Sequence, residues 1–499
     1  MVSIEQAQRE VDRRIKGTLA AIEAGCGPTA TDAERAVWTS LLALGRAVMT
    51  LFFVRRASVW HRGSRRYTIG DAEYEVVGTE VAEIGTRFGK VVVERPVGRL
   101  VGGARFARDL PMDRELGLPG GFTLPVVSTV ARLCAHMAFA STRALLKSLF
   151  EWSPSSRSVL RMVDAMGAQA RPFLEQADVP QDDGEVLVVT VDGKGAPAIS
   201  SKEYARRARP RGARDKNRRH CRRRRRQEQP RPRRAPGKKS KNAKVAAVGV
   251  LYTLRRMPDG RLDGPVNKRT YATFESYRAL FQWVHAEAVR RGYGTSKFTK
   301  VVFIADGADV LWSLQQEFFP DAELCLDWFH AVEKLWKAGK AICRGSRRER
   351  RRLEVWVAEQ KRKLRKGLLP EVLAELADAL AATALTGPGN KYRREVLTEV
   401  LAHFEKNAHR MAYRHLRRED LDISSGVVEG AVRHLVGVRL DGPGMRWGRD
   451  RAEAVLRLRC VLINGLWDDF ERFVATQHLR LAATPVPTRT HDAVVKKAA

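Results

Sequence analysis

Two short runs constrain this chain more than any other feature. Residues 185–191 (EVLVVTV) and 300–305 (KVVFIA) are apolar at nearly every position. A strand with one wet face alternates apolar and polar residues. A run without alternation is covered on both faces, as inner strands of helix-flanked sheets are. Each run leads into an aspartate followed by glycine, Asp192-Gly193 and Asp306-Gly307. A further run, residues 245–254 (VAAVGVLYTL), is separated by the turn signal Met257-Pro258-Asp259-Gly260 from a predicted strand near 266–273. Helical pattern follows over 274–291 and 309–319, with a short strand at 322–326 between that helix and the next helical region. The order strand, strand, strand, helix, strand, helix, strand predicts an α/β fold with a mixed sheet: a meander extended by helix-separated strands.

Charge narrows the class of partner. The chain has 499 residues, 90 Lys and Arg against 57 Asp and Glu, and a formal net charge of +33. That balance argues against an acidic metabolic enzyme and for a polyanionic partner, most commonly nucleic acid. Residues 201–244 alone hold 21 Lys and Arg against Glu203, Asp215 and Glu228. This insert, with Arg222, Arg223, Arg224, Arg225 and Arg226 at its centre, cannot build a core and is expected to be disordered until it meets an anion. A phosphate-backbone clamp is the functional reading; a solubilising or localisation tract is the alternative. Cys26, Cys134, Cys221, Cys325, Cys343 and Cys460 include no CxxC pair, so a zinc ribbon is not indicated and a reducing, cytoplasmic setting is expected. The N-terminus lacks the apolar core of a signal peptide. The most apolar early stretch, 47–54, is far short of the roughly 20 residues that span a bilayer, so no membrane association is expected.

Outside the sheet region the pattern is mixed. Residues 1–110 combine a helical stretch over 33–53 with β-like segments at 74–77 and 90–94, and LPGGF around Gly120-Gly121 marks a break. Helices are predicted over 141–150, with Leu145 and Leu149 on one face, and over 157–167, with Val159, Val163 and Met166 in register. Trp152-Ser153-Pro154 separates them, and Ser155 or Ser156 is the expected cap. Two helices about a tight turn suit a helix-turn-helix, with Ser156, Arg157 and Arg161 facing DNA. Residues 331–420 read as an all-α block interrupted by Gly387-Pro388-Gly389, and the tail from 481 to 499 as disordered.

Three acids stand where phosphoryl-transfer chemistry is plausible. Asp192 and Asp306 follow strands whose carboxyl ends open into one crevice. Glu429 lies early on a helix announced by Ser424-Ser425-Gly426, where Gly426 and Gly430 would permit close approach. Mg2+ is held by a few carboxylates and substrate oxygens, and two such ions about 3.5–4 Å apart serve an in-line displacement at phosphorus. Glu453, among arginines, is the rival acid, expected instead in a surface ion pair.

VDGKGAP at 191–197, FIADGADVLW at 303–312 and VVEGAVRHLVGVRLDGPGMRWGRDRAEAVLRLR at 427–459 together resemble the ISKra-type insertion-sequence transposases of bacteria. The likeness covers about residues 125–475. It implies a DDE enzyme with an RNase H-like mixed-sheet catalytic core and the triad Asp192, Asp306 and Glu429 holding two Mg2+ (or Mn2+) ions. The implied layout is an N-terminal α+β region (1–120), the helix-turn-helix-like segment (121–180) and the core's first part (181–330). The all-α insertion (331–420) and the core's last part with the catalytic Glu (421–480) follow. DNA, as element ends and target, is the implied partner of a homo-oligomer in the bacterial cytoplasm, at the nucleoid. Lys194, Arg446 and Arg449 are candidate phosphate contacts, and Trp447 reads equally as a base-stacking platform or as core. Asp327-Trp328-Phe329-His330 resembles the C/D-x-x-H signature of Mutator-like transposases, which makes Asp327 and His330 accessory candidates; an ordinary helix cap is the alternative. The rival functions are a catalytically inactive transposase-derived DNA-binding protein and an RNase H-like nuclease that cuts without joining.

Overall fold

The computed structural model describes residues 2–62, 66–69, 71–103, 108–199, 205, 243–343, 347–442, 445–480 and 484–485. The basic insert's Arg222–226 lie outside them. The chain forms two compact units, one of residues 1–173 with 466–499, the other of residues 174–465.

In the first unit, α1 (Ile4–Glu23) and α2 (Ala30–Arg62) form a helical hairpin. An antiparallel sheet follows, with β1 (Arg66–Ile69), β2 (Ala72–Thr86), β3 (Gly89–Leu100) and β4 (Arg108–Asp109). Thr484–Pro485, the two described residues of the expected tail, pair with the outer edge of β1, and the rest of that tail lies outside the described residues. Phe53, Ala57 and Trp60 repeat at i, i+4 and i+7 on α2 and are buried with Tyr67, Ile84, Val91, Val93 and Met112. Tyr67 is the centre of this core. Its ring stacks on Tyr74 at 5.4 Å, meets Trp60 edge-on at 5.3 Å, and its hydroxyl donates to Asp109 at 2.9 Å. A Cβ on Gly98 would overlap that hydroxyl, which is why β3 carries glycine there.

Next come α3 (Pro111–Glu115), α4 (Leu124–His136), α5 (Phe139–Phe150) and α6 (Ser156–Gln176). Ser155 caps α6, its Oγ accepting from the Ser158 amide at 3.1 Å. The buried positions of α5 are Thr142 and Leu146, while Leu149 is exposed. The expected Leu145/Leu149 face is therefore one residue out of phase. On α6 the expected Val159, Val163 and Met166 are buried as read. The helix Trp467–Arg480 belongs to this unit rather than to the expected segment 421–480. Phe470 packs on Phe173 at 5.2 Å and the Trp467 indole donates to Ser128 at 3.0 Å.

The second unit is built on a five-stranded mixed sheet. Its strands are β5 (Val186–Pro197), β6 (Ala243–Arg256), β7 (Leu262–Thr273), β8 (Lys300–Ala305) and β9 (Glu323–Leu326), in the order β7-β6-β5-β8-β9. The first three form the expected antiparallel meander, and β8 and β9 add to β5 in parallel. Val186 to Val189 and Val302 to Ala305 are at most 1% exposed. Neighbouring residues point to opposite faces, so both faces are covered, as the unbroken apolar runs require. The crossover helices are α7 (Tyr277–Arg291), capped by Ser276, and α8 (Asp309–Phe318). After β9 the chain runs through α9 (Trp328–Ile342), α10 (Arg347–Arg365), α11 (Leu369–Ala381), α12 (Asn390–Asn407) and α13 (Tyr413–Arg418). Gly387 and Gly389 take positive φ between α11 and α12. Between α12 and α13 the chain passes through a 3-10 turn at Ala408–Arg410. The chain returns to the sheet as α14 (Gly426–Val432), a π-turn at Arg433–Gly437, α15 (Val438–Leu440) and α16 (Arg449–Ile463).

Phe303 sits at the centre of this core, against Phe281 of α7 and Trp312 of α8. Phe303→Ala is expected to lower the unfolding free energy by about 3–5 kcal/mol in denaturant titration. A loss below about 1 kcal/mol would place the core elsewhere.

Candidate active site

The parallel register builds the site. Val191 of β5 lies opposite Ala305 of β8, and Ala305 lies opposite Leu326 of β9. The next residue in each case is an aspartate: Asp192, Asp306 and Asp327. Three acids thus stand in one row where the parallel pairing of three neighbouring strands ends, on the side of the usual ligand crevice of such sheets. The apolar runs point to the first two. Asp327 enters the row because β9 ends in step with β8.

β5 does not stop before Asp192. It continues to Pro197, paired with β6, so Asp192 sits within a long strand. Its Oδ1 accepts from the Gly193 amide at 2.6 Å. Burial is the largest influence on this carboxyl and raises its pKa. The Gly193 amide and His330 oppose the rise, while the charges of Asp306 and Glu429 add to it. Asp306 Oδ1 accepts from the Ala308 amide at 2.9 Å.

The Asp-Gly pairs have a reason other than turn geometry, since neither Gly193 nor Gly307 takes positive φ. A Cβ on Gly193 would overlap the Tyr277 hydroxyl, and one on Gly307 would overlap the His403 ring. Tyr277, at the start of α7, and His403, on α12 of the helical block, are therefore site neighbours. Burial and then the charges of Asp306 and Asp192 push the Tyr277 hydroxyl up to about 12. Burial, then Lys334, lowers the His403 pKa, and its Nε2 is buried with no hydrogen-bond partner among the described residues. No sequence signal marks either residue, because each reaches the row from a separate helix.

Asp327 organises the far side of the row. It is fully buried and caps α9, its Oδ2 accepting from the His330 amide at 2.9 Å and lying 2.6 Å from His330 Nδ1. Its Oδ1 accepts from the Ser425 amide at 2.5 Å. Burial pushes this carboxyl up, but the hydrogen bonds from His330 and Ser425 outweigh it and the pKa is lowered. His330 is raised to about 9, first by its hydrogen bond to Asp327 and, against the opposing effect of burial, by the charges of Asp327, Asp306 and Asp192. Ser425 then hands the link to Glu429, its hydroxyl donating to Glu429 Oε1 at 3.0 Å. Asp327 is thus the helix cap of the alternative reading, and the same contacts hold His330 beside the row.

Ligand atoms of Asp327, His330 and Glu429 lie within 4.8 Å of one another. Glu429 is exposed on the first turn of α14 and near enough to Asp192 to act on its charge. Its neighbouring glycines are not what brings it there. Gly430 faces open space, and a Cβ on Gly426 would make only ordinary contact with Phe329. Glu453 is elsewhere and is not the expected surface pair. Its carboxylate accepts from the Thr273 hydroxyl at 2.8 Å, the Phe274 amide at 2.6 Å and Arg457 at 3.0 Å, tying α16 to the end of β7. A second acid-histidine group, Glu323, His415 and Glu419, already surrounds the Lys300 ammonium near the opposite end of β8.

The remaining candidates separate into exposed and buried. Lys194, two residues from Asp192 on β5, has its Nζ 3.8 Å from Asp441 Oδ2. Arg446 and Arg449 are exposed. Trp447 is 6% exposed, its indole donates to the Leu440 carbonyl at 3.0 Å, and Arg439 lies over its ring. Its backbone joins the Pro197–Ile199 segment. It is a packing residue with no free face for a base, which corrects the stacking expectation. In the first unit Arg157 and Arg161 are exposed one turn apart on α6. Ser156, expected to face DNA, accepts from Arg143 at 3.0 Å.

No protein-family profile matches the chain, and no curated protein matches it in sequence. Among solved structures it is similar to the Drosophila P element transposase strand transfer complex at 12% identity and a TM-score of 0.27, over 70% of this chain and 95% of that one. Likeness at this level carries no argument about activity. What stands on the structure is a mixed α/β unit with an acidic row at its strand ends.

The raised pKa of His330 sets a pH window. Its folded value, about 9, lies above the ordinary value of 6.5, so the stabilisation from the ion pair is complete below about pH 6.5 and is lost as pH rises through 9. An NMR titration of the imidazole is expected to give a midpoint near 9 that falls toward 6.5 or lower in Asp327→Asn. A midpoint at or below 6.5 in the unsubstituted protein would contradict the pairing.

Proposed function

We propose that the chain is a DNA transposase of the DDE type, with an RNase H-like core and Asp192, Asp306 and Glu429 as its catalytic acids. The observation that carries the reading is the strand register, which sets Asp192 beside Asp306, with Glu429 returned to their charge field 123 residues later by α14. The ISKra-type sequence likeness supports the same three residues.

The donor set suits a hard divalent cation. Carboxylate oxygens are the ligands that Mg2+ or Mn2+ takes, and several acids share one row with His330 as their nearby cation. Asp192, Asp306 and Glu429 would hold two ions. Bound there, the pair would activate the attacking oxygen and stabilise the leaving one. The chain's own part is placement: backbone amides of Gly193 and Ala308 orient the two aspartates, and the Asp327–Ser425 link fixes the start of α14. Each chemical step exchanges one P–O bond for another. In cleavage a water oxygen attacks phosphorus and the 3′-oxygen leaves with a proton. In joining, the freed 3′-hydroxyl attacks a target phosphodiester and one target 3′-oxygen leaves. Lys194, Arg446 and Arg449 are the phosphate contacts proposed nearest the row, with Arg157, Arg161 and the basic insert as further backbone contacts. The setting is intracellular, on chromosomal DNA, as a homo-oligomer.

The test is a metal-dependent assay on DNA carrying the element's ends. Cutting with joining is the expected outcome; cutting alone would make the chain a nuclease, and binding alone an accessory protein. Asp192→Asn and Glu429→Gln are each expected to abolish cleavage with DNA binding retained, whereas Glu453→Gln keeps most cleavage. Cleavage by Asp192→Asn near the parent rate would sink the assignment. Neutralising Arg222 to Arg226 is expected to flatten the salt dependence of duplex binding, equally on all sequences. The log–log slope falls by about 0.9 for every phosphate that is no longer neutralised. An unchanged slope would remove the insert from the interface.

A further inference from the structure

α2 is apolar on three sides and covered on two. One side is buried in the sheet core through Phe53, Ala57 and Trp60, and α1 packs along another. The third side carries Trp38, Leu41, Val48, Phe52 and Val59, each 43–57% exposed. With Gly45 and Arg55 these residues are spaced alternately by three and four, the 3.5-residue repeat of a coiled-coil seam. Phe88, itself 39% exposed, lies over Gly45 and fills the gap that glycine leaves. Arg55 is the one charged residue on the seam, and it is engaged with Gln8 at 3.2 Å. The sequence expectation limited the apolar stretch to residues 47–54. The helix actually runs from Ala30 to Arg62, is long and apolar enough by length and composition to cross a membrane, and has only 11% of its most apolar window buried.

We propose that this side of α2 is a homodimer interface, packed against the same seam of a second copy. Three observations select that occupant. A 3.5-residue repeat is complementary to itself about a two-fold axis, with knobs of one helix entering holes of the other. Six large apolar side chains near half exposure present on the order of 500 Å2 of apolar surface. A stable homodimer buries about 800 Å2 per partner, roughly 65% of it apolar, so the seam matches its apolar centre. The other sides of α2 are committed to the folded unit: Arg56 pairs with Glu115, and the Trp60 indole donates to Glu115 at 2.7 Å. Spanning a bilayer would strip the helix from its sheet and strand those polar groups in hydrocarbon.

The test uses the full chain, freed of nucleic acid by nuclease and high salt. Sedimentation across the micromolar range is expected to give twice the chain mass. Phe52→Glu and Val59→Glu, both at exposed positions, are each expected to sediment at the chain mass with unchanged circular dichroism. Hydroxyl-radical footprinting of the unsubstituted chain supplies a reading that does not depend on variant folding: Trp38 and Phe52 are protected at high concentration and reactive on dilution. A monomer at all concentrations, equal reactivity throughout, or a dimer that neither folded variant disturbs overturns the proposal. So does binding to neutral phosphatidylcholine vesicles that the two variants abolish, which would assign the seam to a lipid surface. The interface rests on the homo-oligomer of the proposed function, but none of these readouts involves DNA, so the seam and the proposed DNA chemistry fail independently.

Discussion

Parallel pairing of β8 between β5 and β9 is the constraint on which the acidic row depends. Because the two ladders end in step, one residue past the last paired row brings Asp192, Asp306 and Asp327 side by side. A shift of one residue in any pairing would turn that strand's acid to the other face of the sheet. The apolar burial of β5 and β8 on both faces holds the register, since a slipped strand would lose a packed position at every residue. The site is therefore a by-product of core packing, placed where the core ends.

A row of acids at the edge of a core is electrostatically costly, and the surrounding groups offset that cost unequally. Asp327 is wholly buried yet kept ionised by the His330 imidazole and two backbone amides. Asp192 has one amide and a pKa raised by burial and by its acidic neighbours. The first is a fixed structural anion. The second is a carboxyl whose pKa burial raises against the opposing effects of one amide and His330. The Asp327–Ser425 hydrogen bond also spans the whole helical block, joining the residue before α9 to the residue before α14. With the Trp328 amide donating to the Ile423 carbonyl at 3.0 Å, it ties the segment leading into α14 to the end of β9 across the insertion.

Much of the second unit is legible in the residues themselves. Strand order, the α/β class, the helical block and the positions of Asp192 and Asp306 follow from unbroken apolar runs, turn residues and helical periodicity. These are local patterns, and local patterns report which residues must be covered. They do not report what covers them. The residues that leave no room for a side chain after Asp192 and Asp306, the Tyr277 hydroxyl and the His403 ring, lie 84 and 96 residues from Gly193 and Gly307. Trp447 reads equally as a stacking platform or as core, and only its partners, Leu440, Arg439 and the Pro197–Ile199 segment, decide for core.

The same division holds in the first unit. The sequence by itself determined that α2 is a helix, that a β-rich segment follows it and that two helices come after. It did not determine the helix's length or its loading, because an apolar residue in a helix looks alike whether it faces a sheet, a neighbouring helix or solvent. Tertiary structure decided that Phe53 and Trp60 face the sheet while Val48 and Phe52 face outward. The physical reason is common to both units. Hydrophobicity is a property of one residue and can be read in place, whereas burial, pKa and steric fit belong to pairs of residues that only the folded chain brings together.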